Sequence, residues 1–296
     1  MSFAPIALFA FNRPDLLKRT LETLKACPEA GETPLHIFVD GARNEAEKAK
    51  VSEVVRVAGE AEGFASVEVT ASPLNKGLGQ SIIDGVSEVI NRFGRAIVME
   101  DDLSVMPNFL AFMNDGLERY ASEAKVFSVC GYTLDIGRTE DYPFDTWFGR
   151  RSSSWGWATW KDRWDSVDWN PSEKAILETR RAFNRWGGSD CSKMLLDWRH
   201  GANKSWAIRF CYAVFRQGKL SLFPVRSLVD PDAGFNGEGT NCKPYNRFRF
   251  VPDDGSRRVF RHPESIKEET TFVRRTLRYH SIPKRIWSRI MYKVKR

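Results

Sequence analysis

Apolar runs and amphipathic segments alternate along the first 125 residues of the chain. Residues 4–11 are apolar at nearly every position, which is typical of a strand buried on both faces of a parallel sheet. Between such runs, apolar residues recur every three to four positions, the period of a helix with one buried face. We therefore predict an α/β fold with a mostly parallel central sheet flanked by helices. Strands are predicted at 4–11, 35–39, 67–70 and 96–99, and helices at 14–24, 45–58, 79–93 and 107–120.

The alternation loosens after residue 125. Strands are predicted at 126–130 and 220–224, helical structure over 172–199 and 206–217, and a loop rich in Gly, Asn, Pro and Arg over 230–258. We find no repeat and no linker that would divide the chain. We therefore expect one domain with two halves, residues 1–125 and 126–272, followed by a tail at 273–296.

The positive charge of the chain belongs to this tail. The whole sequence has 45 basic and 38 acidic residues, and residues 273–296 hold nine basic residues and no acidic one. The rest of the chain therefore carries slightly more acidic than basic side chains. Since the basic character is not that of a folded nucleic-acid-binding domain, we expect no nucleic acid partner.

Cysteine usage and hydropathy bear on the compartment of the protein. The five cysteines are scattered, odd in number and lack CxxC spacing, which argues against a disulfide framework or a thiolate zinc site. No stretch approaches the ~20 apolar residues of a membrane-spanning helix. Residues 3–11 lack the basic start and the cleavage site of a signal peptide. We therefore expect a cytoplasmic protein.

Three adjacent carboxylates follow the strand predicted at 96–99. Glu100, Asp101 and Asp102 lie at the C-terminal edge of the predicted parallel sheet, where open α/β sheets bind ligands. Because neighbouring carboxylates repel one another, a cation would offset the cost, and oxygen ligands favour Mn²⁺ or Mg²⁺. Such an ion bridges a diphosphate and stabilises it as a leaving group. The alternative is a solvated turn or helix start, where acidic residues suit the helix dipole.

Two further charged residues come at the ends of predicted strands. Asp40 ends the strand at 35–39, where an edge acid can accept from a base N–H or a ribose hydroxyl. The alternative is a strand-ending turn, since Asp-Gly is a common turn pair. Arg13 lies between the first strand and its helix, where a guanidinium and a helix N-terminus together suit a phosphate. The alternative is a surface arginine.

Glycines and tryptophans mark two other segments. Residues 75–80 (NKGLGQ) form a Gly-rich loop that opens a helix and can cradle a phosphate, although it is neither a P-loop nor a GxGxxG motif. Residues 154–160 (SWGWATW) place three tryptophans around one glycine. Tryptophan stacks on apolar sugar faces. The alternative is an aromatic seam of the core.

The order of these motifs resembles a known family. FAFNRP, FVDGAR, NKGLGQSI, VMEDDL, a Gly-Trp segment and FPVRSLV follow one another as in the GT-A glycosyltransferases. The chain is similar in particular to N-acetylglucosaminyltransferase I and to related bacterial sugar transferases. The resemblance covers roughly residues 4–242.

The resemblance implies a GT-A fold and a sugar-transfer reaction. Residues 1–125 would be a Rossmann-like, nucleotide-sugar-binding half, and residues 126–272 would bind the donor sugar and the acceptor. The implied enzyme is a Mn²⁺- or Mg²⁺-dependent glycosyltransferase that moves a hexosyl or N-acetylhexosaminyl group from a UDP-sugar to a glycan or lipid-linked acceptor, with inversion. By position, the resemblance assigns Asp102 to the metal, Asp101 to the donor sugar, Asp40 to the uracil, Arg13 to the nucleotide or its phosphates, Lys76 to the vicinity of that site, and Trp157 to the donor sugar.

The catalytic base of the resembled enzyme has no counterpart here. That base is an aspartate just before a tryptophan, whereas this chain has Lys204 and Ser205 before Trp206. The nearest candidates to deprotonate an acceptor hydroxyl are Asp190 and Asp197. A loop that tends to read GFDGSGTH in bacterial relatives reads GFNGEGTN at residues 234–241, so asparagines replace an acid and a histidine.

Two other functions stay open on the sequence. A sugar nucleotidyltransferase shares the fold type and the metal-binding acids, but it usually carries a Gly-rich basic loop after the first strand, where this chain reads NRPDLL. A non-catalytic nucleotide- or carbohydrate-binding relative would explain the missing base.

The basic tail has an amphipathic pattern. Pro283 can start a helix, after which five apolar residues fill one face and basic residues the other. This pattern is typical of a helix that lies in an anionic membrane interface, here on the inner face of the membrane. The alternative is a helix that docks its apolar face on the body. The apolar residues are Ile286, Trp287, Ile290, Met291 and Val294.

Overall fold

Ten strands are found in residues 3–231 and 247–294, the part of the chain that the computed structural model describes. Eight of them form one mixed, mostly parallel sheet, and the other two pair separately. The strands are β1 (Ile6–Ala10), β2 (Pro34–Val39), β3 (Ser66–Ala71), β4 (Arg95–Glu100), β5 (Ser104–Val105), β6 (Val126–Cys130), β7 (Thr146–Gly149), β8 (Trp157–Trp160), β9 (Leu220–Pro224) and β10 (Val229–Asp230).

The large sheet has the order β3-β2-β1-β4-β8-β6-β9-β7. The first four of these strands are parallel, with β1 at their centre between β2 and β4. Because their carboxyl ends meet at one edge, residues that follow β1, β2 and β4 lie near one another. β8 runs antiparallel to both β4 and β6, and β7 runs antiparallel to β9. β5 and β10 pair antiparallel beyond the end of β4.

Helices cover both faces of this sheet. One apolar cluster packs α1 (Pro14–Lys25), α2 (Glu45–Gly59) and α4 (Phe109–Arg119) on one face, and a second packs α3 (Leu78–Phe93) and α8 (Ala207–Arg216) on the other. Local signals begin and end several helices: the side chain of Asn44 accepts from the backbone of α2, and Gly94 ends α3 with a left-handed φ of 77°. The helices are α1 (Pro14–Lys25), α2 (Glu45–Gly59), α3 (Leu78–Phe93), α4 (Phe109–Arg119), α5 (Lys161–Asp165), α6 (Glu173–Gly187), α7 (Cys191–Arg199), α8 (Ala207–Arg216), α9 (Thr270–Tyr279) and α10 (Ile282–Val294).

The predicted α/β architecture is confirmed, and the differences are local. The helical stretch predicted at 172–199 is two helices, because Gly188 leaves the helix with a φ of 122°. Strands β7 and β8 and helix α9 were not predicted from the sequence. β8 is buried at all four positions, so it lacks the alternation that marks a half-exposed strand. Most of the loop predicted at 230–258, including residues 234–241, lies outside the described residues.

The tail predicted at 273–296 begins inside α9, whose residues Phe272 and Val273 are buried against the body. The amphipathic helix expected after Pro283 is α10. Among the helices of the described segments, none has the length and apolar character needed to cross a membrane.

Candidate functional site

An arginine and two aspartates meet at the carboxyl edge of the parallel strands. Arg13 follows β1, and its Nη1 donates to Asp102 Oδ2 at 2.9 Å, while its Nη2 forms an ion pair with Asp101. The backbone N–H of Phe11 donates to the same Asp101 carboxylate at 3.4 Å. Because β1 and β4 are adjacent and parallel, residues almost 90 positions apart in sequence form one cluster.

A side chain of α1 anchors the turn that carries the acidic residues. Thr20 Oγ1 lies 2.9 Å from the carbonyl oxygen of Asp101 and 2.8 Å from that of Leu103. Thr20 and Asp101 are both buried, whereas the side chain of Asp102 keeps 15% of its surface exposed. The turn therefore presents Asp102 toward solvent and keeps Asp101 inside.

Burial and mutual repulsion disfavour the charged forms of these acids. Desolvation, together with the charge of Asp102, raises the pKa of Asp101 to about 6, although Arg13 opposes the shift. Desolvation and the charges of Asp102 and Asp101 raise the pKa of Glu100 to about 8. One guanidinium therefore does not fully offset three carboxylates, and the cluster favours a further positive charge.

The cluster fits a divalent cation that a substrate helps to ligate. Within the described residues, no group of three or more His, Cys, Asp or Glu side chains could enclose a metal. Mg²⁺ and similar ions are, however, often held by one or two carboxylates together with substrate phosphates. Asp102 suits this arrangement. Its Oδ2 accepts a hydrogen bond from Arg13, and its Oδ1 accepts none from the described part of the chain.

Asp40 is fully engaged by the loop that opens α3. Its carboxylate accepts from the backbone N–H groups of Lys76 and Gly77, both at 2.8 Å, and from its neighbour Gly41 at 3.0 Å. The Nδ2 of Asn75 adds a fourth bond at 3.1 Å. Asp40 is 7% exposed, so these bonds lie in a protected site where they fix the loop onto the end of β2.

The same loop approaches the segment before α8. A Cβ built on Gly79 would lie 2.4 Å from the carbonyl oxygen of Lys204, and one built on Gly77 would lie 3.7 Å from its Nζ. Lys204 and Ser205 occupy the place where the resemblance expects a catalytic base, and Lys204 adds a cation beside the Gly-rich loop. The Nζ of Lys76 points away to Asp84, at 2.9 Å on the protein surface.

The tryptophans of residues 154–160 divide between the core and a cavity. Trp157 is 1% exposed and stacks on Trp206 and Trp164, with ring centroids 4.9 and 5.9 Å away. Its ring is therefore a core side chain, and Trp155 is the partly exposed member that lines the cavity. A Cβ on the intervening Gly156 would lie 3.2 Å from Met99 Sδ, so this segment runs beside the end of β4.

The cavity lies in the second half of the sheet and has a volume of about 270 Å³. Its surface is mainly aromatic and aliphatic, and serine, threonine, arginine and histidine side chains also line it, a combination found in ligand sites. Only the Trp-Gly-Trp segment and Phe223, the first residue of FPVRSLV, belong to motifs noted in the sequence. The lining includes Tyr132, Trp147, Trp155, Trp186, Phe223, Phe248, Leu277, Arg150, Arg151 and His280.

The two predicted bases do not belong to the cavity wall in the described structure. Asp190 is buried and accepts from Arg151 at 2.9 and 3.2 Å. Burial alone would raise the pKa of Asp190, but the positive charge of Arg151 outweighs it and holds this pKa well below its ordinary value. Asp197 lies on the exposed side of α7 and pairs with Lys193 one turn earlier.

Comparison with known proteins gives distant similarity to solved structures. No family profile and no curated protein matches the chain. A mannosyltransferase from Pyrobaculum calidifontis, solved with GDP-mannose and Mn²⁺, is 10% identical with a TM-score of 0.37, over 54% of this chain and 46% of that one. Glucosyl-3-phosphoglycerate synthase from Mycobacterium tuberculosis, solved with Mn²⁺ and UDP-glucose, is 12% identical with a TM-score of 0.34, over 62% and 67%.

A third structure, mannose-1-phosphate geranyltransferase from Thermus thermophilus, is 17% identical with a TM-score of 0.36, over 83% of this chain and 81% of that one. The similarity to glycosyltransferases expected from the motifs is thus present among solved structures, at low identity. The match spans about half the length of the mannosyltransferase. At these identities and TM-scores, the neighbours assign neither a reaction nor a substrate to this chain.

Proposed function

We propose that this chain is a metal-dependent glycosyltransferase that moves a sugar from a UDP-sugar to a glycan or lipid-linked acceptor, with inversion. The observation that carries the proposal is the cluster of Arg13, Asp101 and Asp102 at the carboxyl edge of the parallel sheet. This edge is where open α/β sheets bind nucleotides. The aromatic cavity beside the same edge offers room for a second substrate.

In this proposal Asp102 would hold a Mn²⁺ or Mg²⁺ ion through the carboxylate oxygen that Arg13 does not contact. When bound, the ion supplies positive charge to the diphosphate as it leaves. Arg13 then exchanges its contact with Asp102 for a phosphate oxygen, because a guanidinium binds both groups in the same geometry. Asp101 stays in its buried ion pair with Arg13 and orients it beside the donor sugar.

The Gly-rich loop completes the donor side of the proposal. Asp40 contacts the uracil or holds the loop that does so, and Lys204 supplies a cation near this loop. Lys76 contributes its backbone N–H, because its Nζ pairs with Asp84. In this proposal Trp157 stays on the donor-sugar side as a buried residue that supports the wall from the core, because its ring is 1% exposed.

The proposed base remains Asp190 or Asp197. A general base must lie within hydrogen-bond reach of the acceptor hydroxyl, directly or through one water. The ion pair of Asp190 with Arg151 keeps it ionised but occupies its oxygens, whereas Asp197 is accessible. Replacement of the true base by asparagine removes transfer and preserves UDP binding, and full activity of both variants would exclude both residues.

The decisive experiment measures nucleotide binding and turnover with and without Mn²⁺. UDP with Mn²⁺ is expected to raise the melting temperature more than GDP or CMP does. A ligand at 100 times its Kd adds ~2.7 kcal/mol to the free energy of unfolding. Asp102→Asn should remove the Mn²⁺ effect and most activity, while the control Asp141→Asn, at an exposed acid, should change neither. Full activity of Asp102→Asn in chelator would refute the metal role.

The same experiment separates the alternatives. A non-catalytic binding protein would show the UDP and Mn²⁺ shift without hydrolysis or transfer of any UDP-sugar. A sugar nucleotidyltransferase would instead form a nucleotide sugar and pyrophosphate from a sugar phosphate and a nucleoside triphosphate. Product analysis of these two reactions therefore tells the three functions apart.

Membrane association through α10 belongs to the same proposal. Four apolar residues of α10 are half exposed: Ile282 (59%), Ile286 (51%), Trp287 (51%) and Ile290 (49%). The alternative, in which the helix docks these side chains on the body, therefore leaves much of their surface in water. A basic apolar helix of this kind binds an anionic membrane surface, on the inner face of the membrane for a cytoplasmic protein.

Vesicle co-sedimentation tests the membrane proposal. The full chain should bind vesicles that contain phosphatidylglycerol and not pure phosphatidylcholine vesicles at low salt. Ile286→Ser combined with Trp287→Ser should reduce binding, whereas Leu177→Ser, an equally exposed apolar site on α6, should not. Equal binding by all three proteins would refute the role of α10.

A further inference from the structure

The aromatic cavity in the second half of the sheet has an apolar interior that the proposed sugar-donor chemistry does not use. Trp147 and Phe223 stack at 4.8 Å on one side, and Leu277 of α9 and Trp186 of α6 contribute to the same wall. Polar side chains also line this cavity, among them Arg150, Arg151 and the serines of residues 152–154, but aromatic and aliphatic side chains make most of its surface. Such a surface suits a hydrocarbon chain, because burial of apolar surface is the main source of affinity for one.

Positive charge accumulates at one end of this cavity. Arg285 is linked to the backbone of His280 through Ser189, and Arg247 lies over the ring of Phe248, whose centre is 5.6 Å from that of His280. Asp190 lies 3.8 Å from His280 Nδ1. Asp190 is already paired with Arg151. The described part of the chain therefore offers two arginines, Arg247 and Arg285, without a carboxylate partner of their own.

These arginines are linked to residues of the cavity wall. The guanidinium of Arg247 lies 4.2 Å from the ring centre of Phe248, which lines the cavity, and burial lowers its pKa. Arg285 donates to Ser189 Oγ at 3.3 Å, and Ser189 donates to the carbonyl oxygen of His280, another wall residue. Partly buried guanidinium groups without counter-ions are the usual partners of phosphate oxygens.

At the end of the cavity near Arg247 and Arg285, the ring of His280 has a nitrogen without a hydrogen-bond partner among the described residues. His280 is 9% exposed, lines the cavity, and its Nδ1 has no hydrogen-bond partner; the nearest acid, Asp190, is 3.8 Å away. Burial and the surrounding arginines lower the pKa of His280 well below its ordinary value, so this ring is neutral. A buried imidazole nitrogen without a partner is costly unless a ligand or water satisfies it.

We infer that this cavity binds an amphiphilic phosphate, with the hydrocarbon chain among the tryptophans and the phosphate between Arg247 and Arg285. The inference rests on the proposed function, because such a molecule is a lipid-linked acceptor for sugar transfer. Trp155 of the cavity wall precedes Gly156, on which a Cβ would lie 3.2 Å from Met99 Sδ, so this part of the wall adjoins the strand that leads into the acidic cluster. Helix α10, which carries Arg285, places the charged end beside the proposed membrane-binding face.

Titration calorimetry with soluble probes tests this inference on the full chain. Octyl phosphate below its micelle concentration should bind more tightly than either octanol or inorganic phosphate, by about tenfold or more if both parts of the site contribute. Equal affinity for octyl phosphate and octanol would overturn the phosphate role. Equal affinity for octyl phosphate and inorganic phosphate would overturn the apolar role.

Two variants with their control locate the phosphate. Arg247→Gln combined with Arg285→Gln should weaken octyl phosphate about tenfold or more and leave octanol unchanged. The pair Arg181→Gln and Arg216→Gln removes two exposed arginines elsewhere and should change neither. If the first pair unfolds, Arg285→Gln alone replaces it. Unchanged affinity of a folded variant would overturn the site.

Two further measurements are needed. One identifies the source of the phosphate, and the other distinguishes failure of this inference from failure of the proposed function. Dihexanoyl phosphatidylglycerol, a two-chain diester, should bind more weakly than octyl phosphate if the site takes an acceptor phosphate, and the reverse order would assign it to a membrane headgroup. The shift in melting temperature with UDP and Mn²⁺ is measured on the same preparations. Loss of lipid binding with an intact UDP response overturns this inference alone, whereas a missing UDP response overturns the proposed function.

Discussion

Replacement of Asp40 by asparagine is expected to destabilise the protein before any ligand is added. The carboxylate accepts four hydrogen bonds at 2.8–3.1 Å, two at each oxygen. An amide presents an oxygen on one side only, so in either orientation two donors face an N–H group. Hydrogen bonds to a charged group contribute about 1.5–3 kcal/mol each, and unsatisfied buried donors cost about 1–3 kcal/mol.

We therefore expect Asp40→Asn to lower the free energy of unfolding by about 2–4 kcal/mol, with the two remaining bonds weakened by loss of the charge. That is a large fraction of the roughly 5–15 kcal/mol typical of a folded domain. Urea denaturation followed by tryptophan fluorescence measures the change. The control is Asp84→Asn, whose ion pair with Lys76 is exposed, and which should cost at most ~1 kcal/mol.

The result also separates two roles of Asp40. If the carboxylate holds the loop of residues 75–77, Asp40→Asn lowers the stability of the ligand-free protein, and hydrogen exchange at the amides of Lys76 and Gly77 accelerates. If Asp40 serves only to bind uracil, the ligand-free stability stays within about 0.5 kcal/mol of wild type, as for ordinary surface substitutions, and only UDP affinity falls. That second outcome would refute the structural reasoning.

Three further predictions use the same denaturation assay. Gly79→Ala should cost ~1–3 kcal/mol, because its Cβ would lie 2.4 Å from the carbonyl oxygen of Lys204, whereas Gly59→Ala, with open space around it, should cost nothing. Trp157→Ala should cost ~3–5 kcal/mol as a core truncation, and a neutral effect would contradict its burial. Asp190 has a depressed pKa in the folded state, so its stabilisation is present above its ordinary pKa of about 4 and is lost as pH falls below it. The stability gap between wild type and Asp190→Asn should therefore narrow below about pH 4, and a constant gap would exclude the ion pair as its cause.

Local sequence patterns determined the strands and helices on which the candidate site is built. The sequence shows the apolar runs of β1 and β4 and the amphipathic period of α1 and α3. These patterns involve residues only a few positions apart, so they predict the elements without knowledge of tertiary contacts. The position of Asp102 after a buried strand likewise predicted its place at the edge of the sheet. This holds because parallel strands share one carboxyl edge wherever the remaining chain goes.

Tertiary structure alone decided which side chains meet and which are hidden. The ion pair between Arg13 and Asp102 depends on β1 lying beside β4, and the burial of Trp157 depends on α8 covering β8. No period or spacing distinguishes Trp155, which lines the cavity, from Trp157, which fills the core. The side chains that line the cavity come from several segments between Tyr132 and His280. Side chains so far apart in sequence become neighbours only through packing, and packing depends on the surfaces of all the elements together, not on any local pattern.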